Sequence, residues 1–227
     1  MHFRTRIARI QWRHARPVAA KRLLSWAAGL ESEMQSRPTK ATYDYLSPTP
    51  SHLLTTSLTD FVPAPAIKAV AETPRWLPQG HHLVYFPLQL PPSELLADGT
   101  DPAHSPGPAF TRRMWAGGSV VFAPGWREAL RLDGRRAVCV ESIGDVAVKT
   151  GSDDKVFVDV WRRYGVEAED VVRRRPAIEE RRTLVFLKAP PPAAATGSGG
   201  IARSRKAVKG RPAVACSYRL LGDGSTT

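Results

Sequence analysis

The sequence predicts an α+β fold, an antiparallel sheet with little helix after residue 60. Five short runs rich in Val, Leu, Phe and Trp, at Ser119–Phe122, Ala137–Ser142, Val146–Lys149, Val156–Trp161 and Thr183–Lys188, alternate with turn residues. The turn signals are Asp133-Gly134, Gly144-Asp145 and Gly151-Ser152-Asp153-Asp154. Within 155–163, Val156, Val158 and Val160 share one face and Phe157, Asp159 and Trp161 the other, the period of a half-buried strand. Sequential strands with tight connections imply a meander.

The earlier elements follow in order. Residues 1–30 carry seven basic side chains and no acid, interleaved with Ile7, Ile10, Trp12, Leu23 and Trp26. That pattern reads as a mitochondrial targeting segment, or as a genuine first helix from Ala19 to Met34, or as both with cleavage inside the helix. Pro38, Pro48, Pro50, Pro63, Pro65, Pro74 and Pro78 then interrupt the chain, leaving room for one short helix at Ser51–Leu58 with Ser51 as its cap. His82–Pro87 reads as a compact β-type run ended by proline. His81 and His82 have no acid or thiol at a ligand-like spacing and read as structural or surface residues.

The chain has a formal net charge of +12, which invites a nucleic-acid partner. The excess sits at the ends: residues 1–30 and 201–227 hold 13 of the 33 basic residues and one of the 21 acidic ones, leaving 20 of each between. A neutral body argues against a nucleic-acid grip. Arg181 and Arg182, beside Glu179 and Glu180, read as a solvated mixed-charge surface. Two cysteines, Cys139 and Cys216, do not make a disulfide framework or a thiolate metal site, and Cys139 reads as a small buried hydrophobe. No apolar run approaches the ~18 residues of a membrane span.

The most distinctive stretch runs from Asp98 to Phe122. Pro106 and Pro108 fix φ, while Gly107, Gly117 and Gly118 permit positive φ or close approach by another group, so the stretch reads as an ordered loop entering a strand. Arg112 and Arg113 suit a phosphate or carboxylate, and Trp115 offers a flat apolar face with one donor. The same arginines equally suit pairing with nearby acids. Past Leu187, residues 190–227 turn to Pro, Ala, Gly and basic residues without periodicity, the composition of a disordered tail. Phosphate-loop, dinucleotide-turn, nucleophile-elbow and zinc-helix spacings do not occur, and His104 is the one histidine in the distinctive loop.

Several words carry a resemblance: Leu77-Pro78-x-Gly80-His81-His82-Leu83-x-Tyr85-Phe86-Pro87, Asp98-Gly-Thr-Asp-Pro102, Ser105-Pro-Gly-Pro108, Phe110-Thr-Arg-Arg-Met-Trp-Ala-Gly-Gly118, Val138-Cys-Val-Glu141 and Glu180-Arg-Arg-x-Leu-Val-Phe186. Over residues 40–188 the chain resembles the amino-terminal half of the fungal mitochondrial hydroxyacyl-thioester dehydratases, MaoC-like double hot-dog proteins similar also to bacterial mesaconyl-CoA hydratases. The resemblance implies a single hot-dog-like half, an antiparallel sheet with a short central helix, between basic tails. It implies reversible dehydration of a 3-hydroxyacyl thioester in mitochondrial fatty-acid synthesis, with neither a redox cofactor nor a metal.

The family's catalytic motif, an Asn or Asp shortly before a His at a helix start, belongs to the second half. This chain contains no Asn and no Asp five residues before a His, so the resemblance assigns no catalytic residue here. The expected organisation is a targeting segment at 1–30, a hot-dog-like domain at 31–189 and a tail at 190–227. The expected function is that of a non-catalytic half truncated before the catalytic one, or alternatively an inert hot-dog module that binds acyl thioesters or serves in dimerisation. Arg112, Arg113, Trp115, Gly117 and Gly118 are the expected substrate-binding residues. The expected partners are an acyl thioester of carrier protein or CoA, and a second hot-dog half or a second copy of the chain; the expected location is the mitochondrial matrix.

Overall fold

The computed structural model describes residues 18–62, 69–151, 153–173, 175–188 and 216–220. The segment at 1–17 and most of the tail at 190–227 therefore lie outside the described residues. Five antiparallel strands, β1 (Lys40–Tyr45), β2 (Arg112–Phe122), β3 (Arg136–Lys149), β4 (Lys155–Gly165) and β5 (Ile178–Leu187), form a sheet in the order β1-β3-β4-β5-β2. A sixth, β6 (Cys216–Leu220), runs parallel to β2 from within the carboxyl-terminal stretch. Helices are few: α1 (Val18–Gln35), α2 (Pro48–Leu58) and the short α3 (Trp126–Ala129) and α4 (Ala168–Arg173). This is the antiparallel sheet with few helices that the sequence predicted, in the hot-dog-like form that the resemblance implied.

The meander holds for β3, β4 and β5, but β1 and β2 flank it from opposite sides, so the connection of residues 46–111 must cross the sheet. The crossing chain covers one face. Alternation along β4 sets that face: Val156, Val158 and Val160 point into an apolar cluster with Met34 of α1, Phe110, Val146 and Phe186. Farther along the same face, Tyr164 joins a second cluster with Leu46, Leu77, Tyr85, Phe86, Phe122, Trp126, Cys139 and Ile178. The last turns of α1 belong to this core, because Met34 is fully buried and Glu31 Oε1 accepts a 3.0 Å hydrogen bond from Val148 N. A boundary at residue 30 would cut through that helix.

Four local expectations are corrected. His82–Pro87 is not a strand: His81–Val84 is a 3-10 turn entered through Gly80 at φ 84°, with Leu83 N bonded to Gly80 O and Tyr85 N to His82 O. His82, Tyr85 and Phe86 are at most 4% exposed while Leu83 and Val84 are 56% and 39% exposed, a burial period near three instead of two. The second helix begins at Pro48, where the ring suits the first turn, and Ser51 is an interior residue bonded through Oγ to His81 Nδ1 at 2.7 Å.

Gly144-Asp145 is a bulge inside one continuous β3, not a turn between two strands, and a Cβ on Gly144 would meet the Trp161 indole at 2.5 Å. Strand β2 starts at Arg112, seven residues before the apolar run, and absorbs a register shift between Trp115 and Gly117. Strand β1 had no apolar run to signal it; Lys-Ala-Thr-Tyr-Asp-Tyr alternates half-buried and exposed positions at the sheet edge.

Candidate acyl-binding site

The register places one row of side chains across the covered face: Lys40 of β1 opposite Glu141 of β3, Glu141 opposite Arg162 of β4, Arg162 opposite Glu180 of β5, and Glu180 opposite Val120 of β2. Four neighbouring strands thus contribute charges of alternating sign between two apolar clusters. A charged row under a covering segment is costly unless every member is paired. Here the pairing is nearly complete.

Glu141 takes His104 Nε2 on Oε1 at 2.7 Å and faces Arg162 Nε from Oε2 at 3.2 Å. Arg162 also donates to Phe86 O at 3.4 Å and lies over the Tyr164 ring. Burial alone would raise the Glu141 carboxyl, but the hydrogen bond and charge of His104, with Arg162, hold it below its ordinary range. Asp101 accepts from Lys40 Nζ at 2.9 Å and from Ala103 N at 2.9 Å, which closes the turn that presents His104. Arg37 pins the same turn by donating to Ala103 O and Ser105 O at 2.7 and 2.9 Å.

Glu180 is the deeper acid. It accepts from Tyr164 OH at 2.7 Å and from Arg182 Nε and Nη2 at 2.6 and 3.0 Å. Burial pushes its pKa up, yet His82, Arg182 and Tyr164 outweigh that and bring it down to about 2. The reading of Glu179 to Arg182 as a solvated mixed-charge surface is therefore wrong for alternate residues: Glu180 and Arg182 face the groove, while Glu179 pairs outward with Arg163 at 2.7 Å. His82 lies 1% exposed against Phe122 and Tyr164, with Nε2 3.7 Å from Glu180 Oε2, too far for a hydrogen bond.

Above this row opens a groove of about 800 Å³. Leu83, Val84, Leu88, Met114, Trp115 and Leu184 supply its apolar wall, and Met114 and Trp115 are half exposed on it. The dimensions and lining suit an acyl chain with a polar head. Asp101, His104 and Glu141 bring potential ligand atoms within 4.8 Å of one another. Lys40 and Arg162 already occupy the two carboxylates, so a divalent cation would have to displace both cations, and the donor set reads as a closed charge network.

Of the five residues expected to bind substrate, Arg113, Trp115 and Gly118 line the groove. Arg112 instead donates to Lys188 O at 2.9 and 3.3 Å at the strand end, and Gly117 lies at the bulge. Gly118 serves close approach, since an added Cβ would run into the Arg181 carbonyl oxygen of β5. His104 stands out in the sequence, whereas Asp101, Glu141, Arg162 and Glu180 do not stand out there as a set. Their only signal was an acid or arginine inside an otherwise apolar strand pattern, as at Glu141 after Val138-Cys-Val.

A search of curated proteins gave no match. Among solved structures, the ChsH1-ChsH2 complex from Mycobacterium tuberculosis is similar at 13% identity, over 74% of this chain and 96% of that chain, with a TM-score of 0.41. The model of the family Hydroxyacyl-thioester dehydratase type 2 matches residues 80–214, more than half of the chain and including His82, His104, Glu141, Arg162 and Glu180, and the chain belongs to that family.

Proposed function

We propose that this chain is the acyl-binding, non-catalytic hot-dog half of a 3-hydroxyacyl-thioester dehydratase, working beside a second hot-dog half in mitochondrial fatty-acid synthesis. The observation that carries the reading is the groove of about 800 Å³, apolar along its wall and floored by a fixed polar row. Trp115 and Met114 supply flat and adaptable contact for methylenes, and Arg113, within electrostatic reach of Asp98, brings a positive charge to the groove that suits a carrier phosphate. The one histidine in an α-helix among the described residues, His52, follows Ser47 and Pro48 instead of Asn or Asp and is not on the groove. The acid-free, arginine-rich start supports the mitochondrial address, which a fusion of residues 1–40 to a fluorescent protein tests by its location.

Calorimetry with octanoyl-CoA should give saturable heat, and Trp115→Ala should weaken binding about fivefold with little loss of stability. No heat with the wild-type chain would remove the acyl-binding reading. Crotonyl-CoA hydration by the purified chain alone should be undetectable. Turnover that disappears in His104→Gln would instead assign the chemistry to the His104–Glu141 pair in this half.

A further inference from the structure

The two edges of the sheet are finished differently. Along β1, the segment 86–89 is drawn against the strand: Gln89 Nε2 donates to Tyr43 O at 3.1 Å, and Phe86 N donates to Asp44 Oδ2 at 2.8 Å. Along β2, the chain's own β6 pairs in parallel with Gly118–Phe122 and stops there. Among the described residues no strand joins the outer edge of Arg112–Ala116, where Met114 and Trp115 are 60% and 43% exposed. One half of β2 is covered and the other is bare.

The cover is a weak one. Parallel ladders are slightly less stable per residue than antiparallel ones, and β6 supplies five residues where β2 has eleven. Residues 189–215 tether β6 to β5, so its pairing does not depend on protein concentration, whereas that of any strand from another molecule does. The edge beneath it is self-complementary. An antiparallel ladder between two copies, with its two-fold axis at Gly117, sets Arg112 opposite Phe122 and Arg113 opposite Val121 of the other copy, so no arginine faces an arginine. That ladder needs Gly118–Phe122, the positions β6 holds, and the two pairings exclude one another.

We propose that β6 is a tethered edge guard, whose release frees the outer edge of β2 to pair with β2 of a second copy and joins the two sheets into one. The proposal goes beyond the acyl-binding reading and stands independently of it, because the exchange trades one backbone ladder for another and involves no ligand.

The test uses the full chain. Alternate residues of a strand direct their N–H to a given neighbour, so Ser217→Pro combined with Tyr218→Pro removes a donor from β6 whichever set faces β2. A guard in place about nine-tenths of the time must leave both copies before they pair, which weakens dimerisation about a hundredfold. Sedimentation equilibrium should therefore show the double variant dimerising more tightly than the wild type by about that factor. Hydrogen exchange supplies a readout that does not depend on the variant folding: in the monomeric wild-type chain the amides of β6 should be protected and the outward amides of 112–116 open. In the dimer of the variant the amides of 112–116 should become protected. Dimerisation of the variant within about twofold of the wild type, β6 amides unprotected in the monomer, or a dimer that leaves 112–116 open each overturns the guard.

Discussion

Replacing Gly118 by alanine tests the closest approach in the sheet. Gly118 pairs with Arg182 in the β2–β5 ladder, and a Cβ there would run into the Arg181 carbonyl oxygen, with the Arg181 carbonyl carbon at 3.5 Å and Arg182 Cα at 3.6 Å. All three atoms are backbone, tied into the ladder on both sides of β5, so they yield only if the strands separate. Overpacking of this kind costs about 3 kcal/mol at its upper range. The backbone entropy recovered by removing a strand glycine offsets about 0.5–1 kcal/mol. About 2 kcal/mol remains, which lowers the melting temperature by about 4–8 °C for a chain of this size. Gly151→Ala is the matched control, because a Cβ there meets nothing within 4 Å, and it should stay within about 0.5 kcal/mol. Thermal melts followed by circular dichroism compare the two. If Gly118→Ala melts within about 1 °C of the wild type, β2 and β5 are not packed as closely as described and the argument fails.

The pH dependence follows from Glu180. Its folded pKa, about 2, lies below the ordinary 4.5, so the stability it contributes is present above pH 4.5 and is lost as pH falls toward 2. The difference is worth about 3 kcal/mol. Urea titrations between pH 5 and 2 should show that loss, and Glu180→Gln should flatten the curve over the same interval; an unchanged acid slope in the variant would sink the assignment. Cys139 gives the opposite case. Burial pushes its thiol up to about 11, so iodoacetamide at pH 8 should leave the Cys139 peptide unmodified until the protein is unfolded, as read by peptide mass spectrometry.

What the sequence made legible follows from what period and composition can carry. The β4 alternation was readable because Val156, Val158 and Val160 repeat every second residue beside polar and aromatic partners. Strand β1 was not, because an edge strand of Lys, Thr, Asp and Tyr has no apolar period to show. Glycine before a polar residue signals a turn, and Gly144-Asp145 has that form; only the Trp161 ring from the neighbouring strand explains why the glycine is a bulge. The site was the least legible part. Lys40, Glu141, Arg162 and Glu180 become neighbours through register alone, and local charge counting pairs Glu180 with the solvent instead of with Tyr164. His82 lacked a partner at any short spacing because its nearest acid is contributed by β5.

The strand order also bears on how the chain assembles as it is made. β1 and β2 leave the ribosome before the three strands that lie between them: Lys40 waits for Glu141, and Arg112 waits for Leu187. Until then the exposed edges of β1 and β2 have no ladder to join, and the covering segment between them has no face to cover. Pairings this distant in sequence slow folding, and unpaired edges invite association with other nascent chains. The architecture that shelters a charged row beneath the groove thereby leaves β1 and β2 waiting for the strands between them, and chaperone demand should fall once Leu187 has emerged.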